Sequence, residues 1–253
     1  YCPTSGISIV FNGEIFNYRE LREDLIAKGY RFETVSEIET LKNMFLEFGP
    51  AMVERLNGQF AIAIFVEDQK LLYLFRDPFG IRPLYWLERG GNIFFASEIK
   101  ALRAAIGESL EIDRSSLLQT LRFWTVVGDR TAFEGVRQVP PGHYLAVSRS
   151  NVSLKRYWTY PIGENNEKQE ITDLDGQLET FREMMSETVA RQLMADVEVG
   201  SYLSGGIDSS VVASVVSRQT GQGSFRTFSV AFDDPDYDES EAQKAVVSHL
   251  GVD

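Results

Sequence analysis

The sequence predicts an α+β domain followed by the start of an α/β domain with a parallel sheet. Short apolar runs separated by turn sequences, between residues 60 and 160, are typical of antiparallel strands. Beyond residue 176, strand-like and helix-like patterns alternate, which favours a parallel sheet. The segment 161–176 between them is polar and lacks apolar periodicity, as linkers do. We therefore expect domains at 1–160 and 177–253.

The N-terminal segment predicts a strand, a turn and two helices. Residues 7–11 have the apolar pattern of a strand, and Asn12-Gly13 is a sequence that favours a tight turn. Asn17 followed by Glu20 predicts a helix with a capping box at its start. A second helix, ending at Gly49, is predicted from apolar residues at three- and four-residue spacing: Leu41, Met44, Phe45 and Phe48.

The remaining elements follow from similar patterns. In the first domain we predict strands at 60–66, 70–76, 84–86 and 93–96 and short helices near 98–104 and 115–123. In the second domain we predict helices at 178–193, 209–218 and 239–250 and strands at 197–203 and 225–232. Two strands are too few to complete a doubly wound sheet, so only the start of such a domain is expected.

Composition limits the class of protein. The chain has 253 residues, of which 43% are hydrophobic and 25% charged, enough for one large or two modest cores. A formal net charge of −12 argues against nucleic-acid binding through a basic face. One cysteine and two histidines exclude a disulfide framework and disfavour a zinc site. No apolar run approaches the ~20 residues of a membrane span. We expect a cytoplasmic protein without nucleic-acid or membrane partners.

The segment 203–210, Leu-Ser-Gly-Gly-Ile-Asp-Ser-Ser, lies where a predicted strand leads into a helix. Gly205 and Gly206 leave room for an anion, and backbone N–H groups, hydroxyls and the helix start can bind phosphate. The segment is not a Walker A motif, because no lysine follows the second glycine. Asp208 would repel phosphate unless a divalent cation lay between them, which predicts Mg²⁺. The alternative is a tight turn capped by serines.

Four segments together resemble the glutamine-hydrolysing asparagine synthetases, and they occur in that family's order. They are VFNGEIFNY at 10–18, RDPFGIRPLY at 76–85, FASEIKAL at 95–102 and LSGGIDSS at 203–210. The resemblance covers nearly the whole chain. It implies a glutaminase domain with the four-layer N-terminal-nucleophile fold, which releases ammonia from glutamine. It also implies an ATP-pyrophosphatase domain that activates aspartate as an acyl-adenylate for attack by ammonia, so that the parent protein is a ligase.

The resemblance implies roles for residues of the first domain. The side-chain amide of Asn12 and the N–H of Gly13 would form an oxyanion hole, each worth ~3 kcal/mol. These two residues and Glu14 would contact glutamine. Glu37, at the position of an aspartate in the family, would meet the α-amino group of glutamine. The alternatives are a plain hairpin turn at Asn12-Gly13 and a first-turn helix acid at Glu37.

In the second domain the resemblance implies an ATP site with Asp208 as a Mg²⁺ ligand. Leu203 and Val230 would line the adenine pocket, although either residue could instead be ordinary strand core. The acidic run 233–241 is interpreted as a solvated loop and helix start rather than a metal cluster. The implied ATP-binding residues are Leu203, Ser204, Gly205, Gly206, Asp208, Ser209, Ser210 and Val230.

The family's nucleophile is a cysteine at the mature N-terminus, whose own α-amine acts as the base. Cys2 follows Tyr1, so its nitrogen is an amide and cannot accept a proton. We therefore expect that Cys2 is not the nucleophile, that the parent protein extends beyond both ends, and that the printed chain catalyses neither half-reaction. His143 and His249 are interpreted as structural.

Two alternatives to the asparagine synthetase remain. The first is a relative with another acceptor acid, such as the enzymes that close β-lactam rings and keep the phosphate loop beside an inactive glutaminase domain. The second is a non-catalytic binding module. The implied small-molecule partners are glutamine, ATP with Mg²⁺, and aspartate or a related acid, and the family suggests a homodimer through the glutaminase domains.

Overall fold

The computed structural model describes residues 6–160, 173–195, 197–221 and 225–252. Cys2 and residues 161–172 of the predicted linker lie outside the described residues. The chain divides into two compact units, Tyr1–Gly163 and Glu164–Asp253. This division falls inside the predicted linker.

The first unit contains eight strands and four α-helices in its described part. The strands are β1 (Ile7–Ile15), β2 (Gly58–Val66), β3 (Leu71–Arg76), β4 (Tyr85–Arg89), β5 (Asn92–Ala96), β6 (Arg137–Gln138), β7 (His143–Val147) and β8 (Val152–Arg156). The helices are α1 (Tyr18–Ala27), α2 (Glu37–Phe48), α3 (Ile99–Ile106) and α4 (Arg114–Phe123), and a 3-10 helix spans Gly49–Arg55. The strands form a five-stranded sheet, β1-β2-β3-β7-β8, and a three-stranded sheet, β5-β4-β6. Every pair in both sheets is antiparallel.

The two sheets and the helices form four layers. Successive side chains of β2 point to opposite faces, so Phe60 and Ile62 pack with Leu25 of α1 and Met44 of α2. Ala63, on the other face, belongs to a second cluster with side chains of the three-stranded sheet. The far face of that sheet packs against α3 in a third cluster, which contains Leu87, Leu102 and Val136. The order is helix, sheet, sheet, helix, and the predicted four-layer α+β sandwich is confirmed.

The predicted turn at Asn12-Gly13 is wrong, because β1 continues through both residues to Ile15. The Asn-Gly signal is local, whereas β2 provides a partner along the whole strand, and that pairing keeps the chain extended. The predicted capping box at Asn17 does not form either. The Asn17 side chain instead accepts from the N–H of Asn57 at 2.9 Å and donates to the carbonyl of Arg55 at 3.0 Å.

The second unit begins an α/β sheet. Strands β9 (Gly200–Tyr202) and β10 (Arg226–Phe228) pair in parallel, as predicted. Helices α5 (Leu174–Gln192), α6 (Ile207–Thr220) and α7 (Ser240–Leu250) accompany them, and the cluster of this unit includes Leu203, Val216 and Phe225. Helix α5 begins inside the predicted linker 161–176, because the side chain of Asp173 accepts from the N–H of Gly176 at 2.9 Å and caps the helix. Both strands are shorter than predicted.

Candidate functional site

The predicted oxyanion-hole residues lie on β1, opposite β2. Gly13 faces Phe60 across the strand pair, and Asn12 faces Ala61. Gly13 has φ +150°, and a Cβ atom there would lie 2.0 Å from the carbonyl oxygen of Gln59. Only glycine fits this position, since any side chain would push β1 away from β2.

The N–H of Gly13 points away from β2. Both backbone groups of Phe60 bond to Asp77: its carbonyl accepts from the Asp77 N–H at 2.9 Å, and its N–H donates to the Asp77 carboxylate at 3.2 Å. Phe60 and Gly13 therefore form a non-hydrogen-bonded antiparallel pair, in which the backbone groups of Gly13 turn to the outer side of β1. β1 is the edge strand of the described sheet, so this N–H is directed outward, where a substrate oxyanion could accept from it.

The side-chain amide of Asn12 makes a long-range hydrogen bond. Its Nδ2 donates to Oγ of Ser97 at 3.0 Å. Asn12 lies in the five-stranded sheet, whereas Ser97 directly follows β5 of the three-stranded sheet. Ser97 is not among the site residues predicted from the sequence. The signal that could have identified it is its place in the segment 95–102, which resembles the family.

The segment after β3 is held beside the same end of the sheet. The carboxylate of Asp77 is fully buried and accepts from the N–H groups of Phe60, Phe79, Ile81 and Arg82 at 2.9–3.2 Å. One side chain therefore shapes the loop 77–82 and attaches it to the strand that pairs with Gly13. Sequence reasoning recognised this segment as family-like and did not predict what Asp77 does.

The buried side chain of Arg76 also holds the loop 77–82 in place. Its guanidinium donates to the carbonyls of Gly80, Arg82 and Val139 at 2.8–3.0 Å and to the Gln138 side chain at 3.0 Å. Burial lowers the pKa of Arg76 and the adjacent Asp77 opposes that shift. The hydroxyl of Tyr157 donates to the Arg76 carbonyl at 2.6 Å, and burial raises the pKa of Tyr157.

Glu37 is the first residue of α2, directly after the cap Ser36, which accepts from the N–H of Ile38 at 3.3 Å. Its position is that of a first-turn helix acid, the alternative considered from the sequence, and α2 packs against β1. Glu39 on the same helix has a structural role. Its carboxylate accepts from the N–H of Glu33 at 2.9 Å and from the N–H and hydroxyl of Thr34, both at 2.7 Å.

In the second unit the predicted phosphate loop connects β9 to α6. Ser204, Gly206 and Asp208 are exposed, so the turn is open to solvent. Gly205 has φ +81°, and a Cβ atom there would lie 2.8 Å from Cβ of Ala242, so glycine allows the loop to pack against α7. The phosphate loop is therefore packed against α7 on its inner side and accessible to solvent on its outer side.

Hydroxyl groups shape the phosphate loop. Oγ of Ser209 accepts from the N–H of Ser204 at 3.2 Å and lies 3.0 Å from Oγ of Ser204, which accepts from the N–H of Gly206 at 3.3 Å. Oγ of Ser210 donates to the Gly206 carbonyl at 2.7 Å. Because the N-cap of α6 is a glycine, no cap side chain competes for the N–H groups of its first turn, and these groups can bind an anion.

Asp208 projects from the first turn of α6 and is exposed. A carboxylate in the first turn after the phosphate loop offers the oxygen donors that Mg²⁺ prefers. The donor set therefore fits a magnesium–nucleotide complex. Asp208 itself contributes a single carboxylate, so the phosphates and water would complete the coordination.

Leu203 and Val230 lie in different environments. The side chain of Leu203 is buried in the hydrophobic cluster, its N–H donates to Phe228 at 2.9 Å and its carbonyl accepts from Ser229 at 2.7 Å. This is the strand-core placement considered as an alternative. Val230 is exposed, and its carbonyl accepts from the buried side chain of Gln243 at 3.1 Å. Gln243, which sequence reasoning missed, thus ties Val230 to the helix that supports Gly205.

The remaining residues considered from the sequence are the acidic run 233–241 and the two histidines. Asp238 of the acidic run accepts from the Ser240 hydroxyl at 2.6 Å and the Phe232 N–H at 3.3 Å, and these bonds lower its pKa. Across the described ranges, no three histidine, cysteine, aspartate or glutamate side chains form a metal-binding group. Nδ1 of His143 lies 2.7 Å from the Pro141 carbonyl, and His249 is in the last turn of α7.

None of the helices that the structure describes is long and apolar enough to cross a membrane.

Comparison with known families gives two matches. Residues 2–158 match the family described as glutamine amidotransferase domain, and residues 180–253 match asparagine synthase.

Individual relatives cover nearly all of this chain. It is 37% identical to asparagine synthetase [glutamine-hydrolyzing] 1 of Bacillus subtilis over 97% of its length, and 32% identical to synthetase 3 of that organism over 90%. Amidase chyE of Penicillium rubens is 32% identical over 98% of the chain. The chain spans only 37–38% of the length of these relatives.

Among solved structures, glutamine PRPP amidotransferase of B. subtilis aligns with a TM-score of 0.47 at 19% identity, covering 87% of this chain and 45% of that one.

Proposed function

The chain belongs to the glutamine amidotransferase domain family, and from this premise we propose that the whole protein is a glutamine-dependent asparagine synthetase. It would release ammonia from glutamine in the first unit and use ATP in the second to convert aspartate to asparagine. The observation that carries the proposal is that one polypeptide matches a glutamine amidotransferase domain and then an asparagine synthase. Because the chain spans 38% of the first relative, the activity is proposed for the protein that contains it.

In the first unit we assign the oxyanion hole to the amide of Asn12 and the N–H of Gly13. The outward direction of the Gly13 N–H supports this assignment, since a substrate must approach from outside the sheet. Donors held in place before reaction stabilise the developing negative charge most, because they need no reorganisation. Glu14 is assigned to glutamine, and Glu37 to its α-amino group.

In the second unit we assign ATP binding to the phosphate loop and its neighbours. The open turn, the glycine at the N-cap of α6 and the exposed carboxylate support the assignment. Magnesium ion, when bound, would neutralise phosphate charge, with Asp208 as its protein ligand. Val230 would contact adenine from the surface, and Leu203 would support it from the core. The assigned residues are Leu203, Ser204, Gly205, Gly206, Asp208, Ser209, Ser210 and Val230.

The test compares two nitrogen sources in the full-length protein that carries this chain. Wild type should form asparagine from aspartate and ATP with either glutamine or ammonium. Asn12→Ala should lose glutamine-dependent synthesis by ~100-fold or more and keep ammonia-dependent synthesis. Asp208→Asn should lose both syntheses and keep glutamine hydrolysis. Asp175→Asn, an exposed acid in the first turn of α5, is the matched control and should change neither.

A wild-type protein that forms asparagine with neither nitrogen source would reject the proposal. Because amidase chyE is similar to this chain and is not named an asparagine synthetase, we keep one second candidate, an amidotransferase that acts on another acceptor acid. Pyrophosphate release from ATP with a panel of carboxylic acids separates the two candidates, since only the true acceptor acid should stimulate it.

A cytoplasmic location, where glutamine and ATP are available, belongs to the same proposal, and dimer formation stays a prediction.

A further inference from the structure

The side chain of Asn12, in the proposed oxyanion hole, is joined by a hydrogen bond to Ser97, which follows a strand of the three-stranded sheet. Their side chains are 3.0 Å apart although 85 positions separate them in the chain. Asn12 is exposed, so packing alone does not select one orientation of its amide. An exposed asparagine has two freely rotating side-chain torsions, and a hydrogen bond to a fixed partner is what restricts them.

Ser97 is a fixed partner. It directly follows Ala96, which pairs with Tyr85 in the ladder between β4 and β5. Two residues later α3 begins, and Leu102 of that helix is fully buried against the three-stranded sheet. The backbone of Ser97 is therefore held by a strand on one side and a packed helix on the other.

We propose that Ser97 is a positioning residue, which holds the Asn12 amide so that its second N–H is free to stabilise the oxyanion. The proposal rests on the proposed function of the first unit. A primary amide has two N–H donors, and Ser97 accepts from one of them. The bond fixes the amide plane, and the other donor is then oriented before the substrate arrives. Preorganised donors of this kind lose part of their effect when their support is removed.

The test uses the full-length protein and separates kcat from KM. Ser97→Ala should lower kcat for glutamine hydrolysis by ~10-fold, less than the ~100-fold or more expected for Asn12→Ala, and should leave KM for glutamine and ammonia-dependent synthesis unchanged. Ser97→Thr keeps the hydroxyl and should recover most of the activity. Ser8→Ala, on the same strand as Asn12, is the matched control and should change nothing.

A double variant distinguishes positioning from a general structural effect. Adding Ser97→Ala to Asn12→Ala should cost no further activity, because the serine acts only through the amide. Independent losses that multiply, or an equal loss of ammonia-dependent synthesis in Ser97→Ala, would overturn the inference.

A readout without catalysis separates this inference from the proposed function. In NMR spectra of the side-chain amides, one Asn12 N–H proton should exchange slowly with water in wild type and rapidly in Ser97→Ala. If wild type hydrolyses no glutamine but this difference is seen, the proposed function fails while the positioning contact stands. If wild type is active and Ser97→Ala is indistinguishable from it in rate and exchange, the positioning role is wrong.

Discussion

Asp77 occupies both backbone groups of Phe60, giving its own N–H to the carbonyl at 2.9 Å and accepting the N–H with its carboxylate at 3.2 Å. Phe60 therefore has no backbone group left for Gly13, its partner on β1, and Gly13 directs its N–H away from the sheet. The buried carboxylate thus attaches the loop 77–82 to β2, on the side opposite β1, while the register of β1 against β2 sets the outward direction of the proposed oxyanion donor.

Asp77→Ala should strongly destabilise the first unit. Removing a fully buried carboxylate leaves several N–H groups without an acceptor, and we expect a loss of ~3 kcal/mol or more in the free energy of unfolding. All three tryptophans, Trp86, Trp124 and Trp158, belong to this unit, so their fluorescence during urea unfolding measures it specifically. Asp77→Asn keeps one acceptor oxygen and should lose less. Equal stability of both variants and wild type would contradict the role given to Asp77.

Gly13→Ala should disrupt the pairing of β1 with β2. The added Cβ would lie 2.0 Å from the carbonyl oxygen of Gln59, so the strands must separate at the proposed oxyanion hole. Gly29→Ala is the matched control, since Gly29 also has a positive φ, of +93°, but a Cβ there meets nothing within 4 Å. We expect ~1 kcal/mol of destabilisation for the control and clearly more for Gly13→Ala. Urea unfolding of the two variants checks this order.

Glu39 should make the first unit sensitive to acid. Burial by itself raises the pKa of Glu39, but hydrogen bonds from Glu33 and Thr34 outweigh burial and hold the pKa below its ordinary value of 4.5. A lowered folded-state pKa means that the stabilisation is complete above pH 4.5 and is lost as the pH falls through the lower value.

Glu39→Gln should therefore be less stable than wild type near pH 7, and the difference should shrink below pH 4.5. Urea unfolding at a series of pH values, followed by tryptophan fluorescence, measures the difference. A gap between the two proteins that stays constant from pH 7 to pH 3 would contradict the assignment of the pH dependence to Glu39.

Ser209→Ala should weaken ATP binding. Its hydroxyl accepts from the N–H of Ser204 and donates to the carbonyl of Gly206 at 3.2 Å, so its removal loosens both sides of the phosphate loop. We expect ~10-fold weaker binding of magnesium–ATP to the full-length protein by calorimetry. Ser201→Ala, in the adjacent strand β9, is the control, because its hydroxyl donates within that strand, to the carbonyl of Tyr202. Weakening by the control equal to that by Ser209→Ala would show that the loop is not the binding site.

Much of the fold could be predicted from local patterns. The apolar run at 60–66 predicts a strand, and the spacing of Leu41, Met44 and Phe45 predicts α2. The alternation of helices and strands after residue 176 predicts the parallel pair β9 and β10. Such patterns succeed because an apolar face must be buried wherever the element lies.

Local patterns failed where a distant segment competed with them. Asn12-Gly13 has the composition of a turn, but pairing with β2 keeps it extended. Asn17 is a residue type that favours the N-cap of a helix, but its side chain instead forms hydrogen bonds with Arg55 and Asn57. In both cases a contact made by tertiary packing replaced the local one that the sequence favours.

By itself the sequence determined the fold class, the positions of most helices and strands, and the phosphate loop with Asp208; its resemblance to a known family added the four-layer arrangement and Asn12 and Gly13 as candidates. Tertiary structure alone decided that Asn12 donates to Ser97, that pairing with β2 directs the Gly13 N–H outward, and that Leu203 lies in a core while Val230 is exposed. The physical reason is distance along the chain. Apolar periodicity and glycine freedom are properties of neighbouring residues, whereas a hydrogen bond between remote segments exists only once the layers have packed.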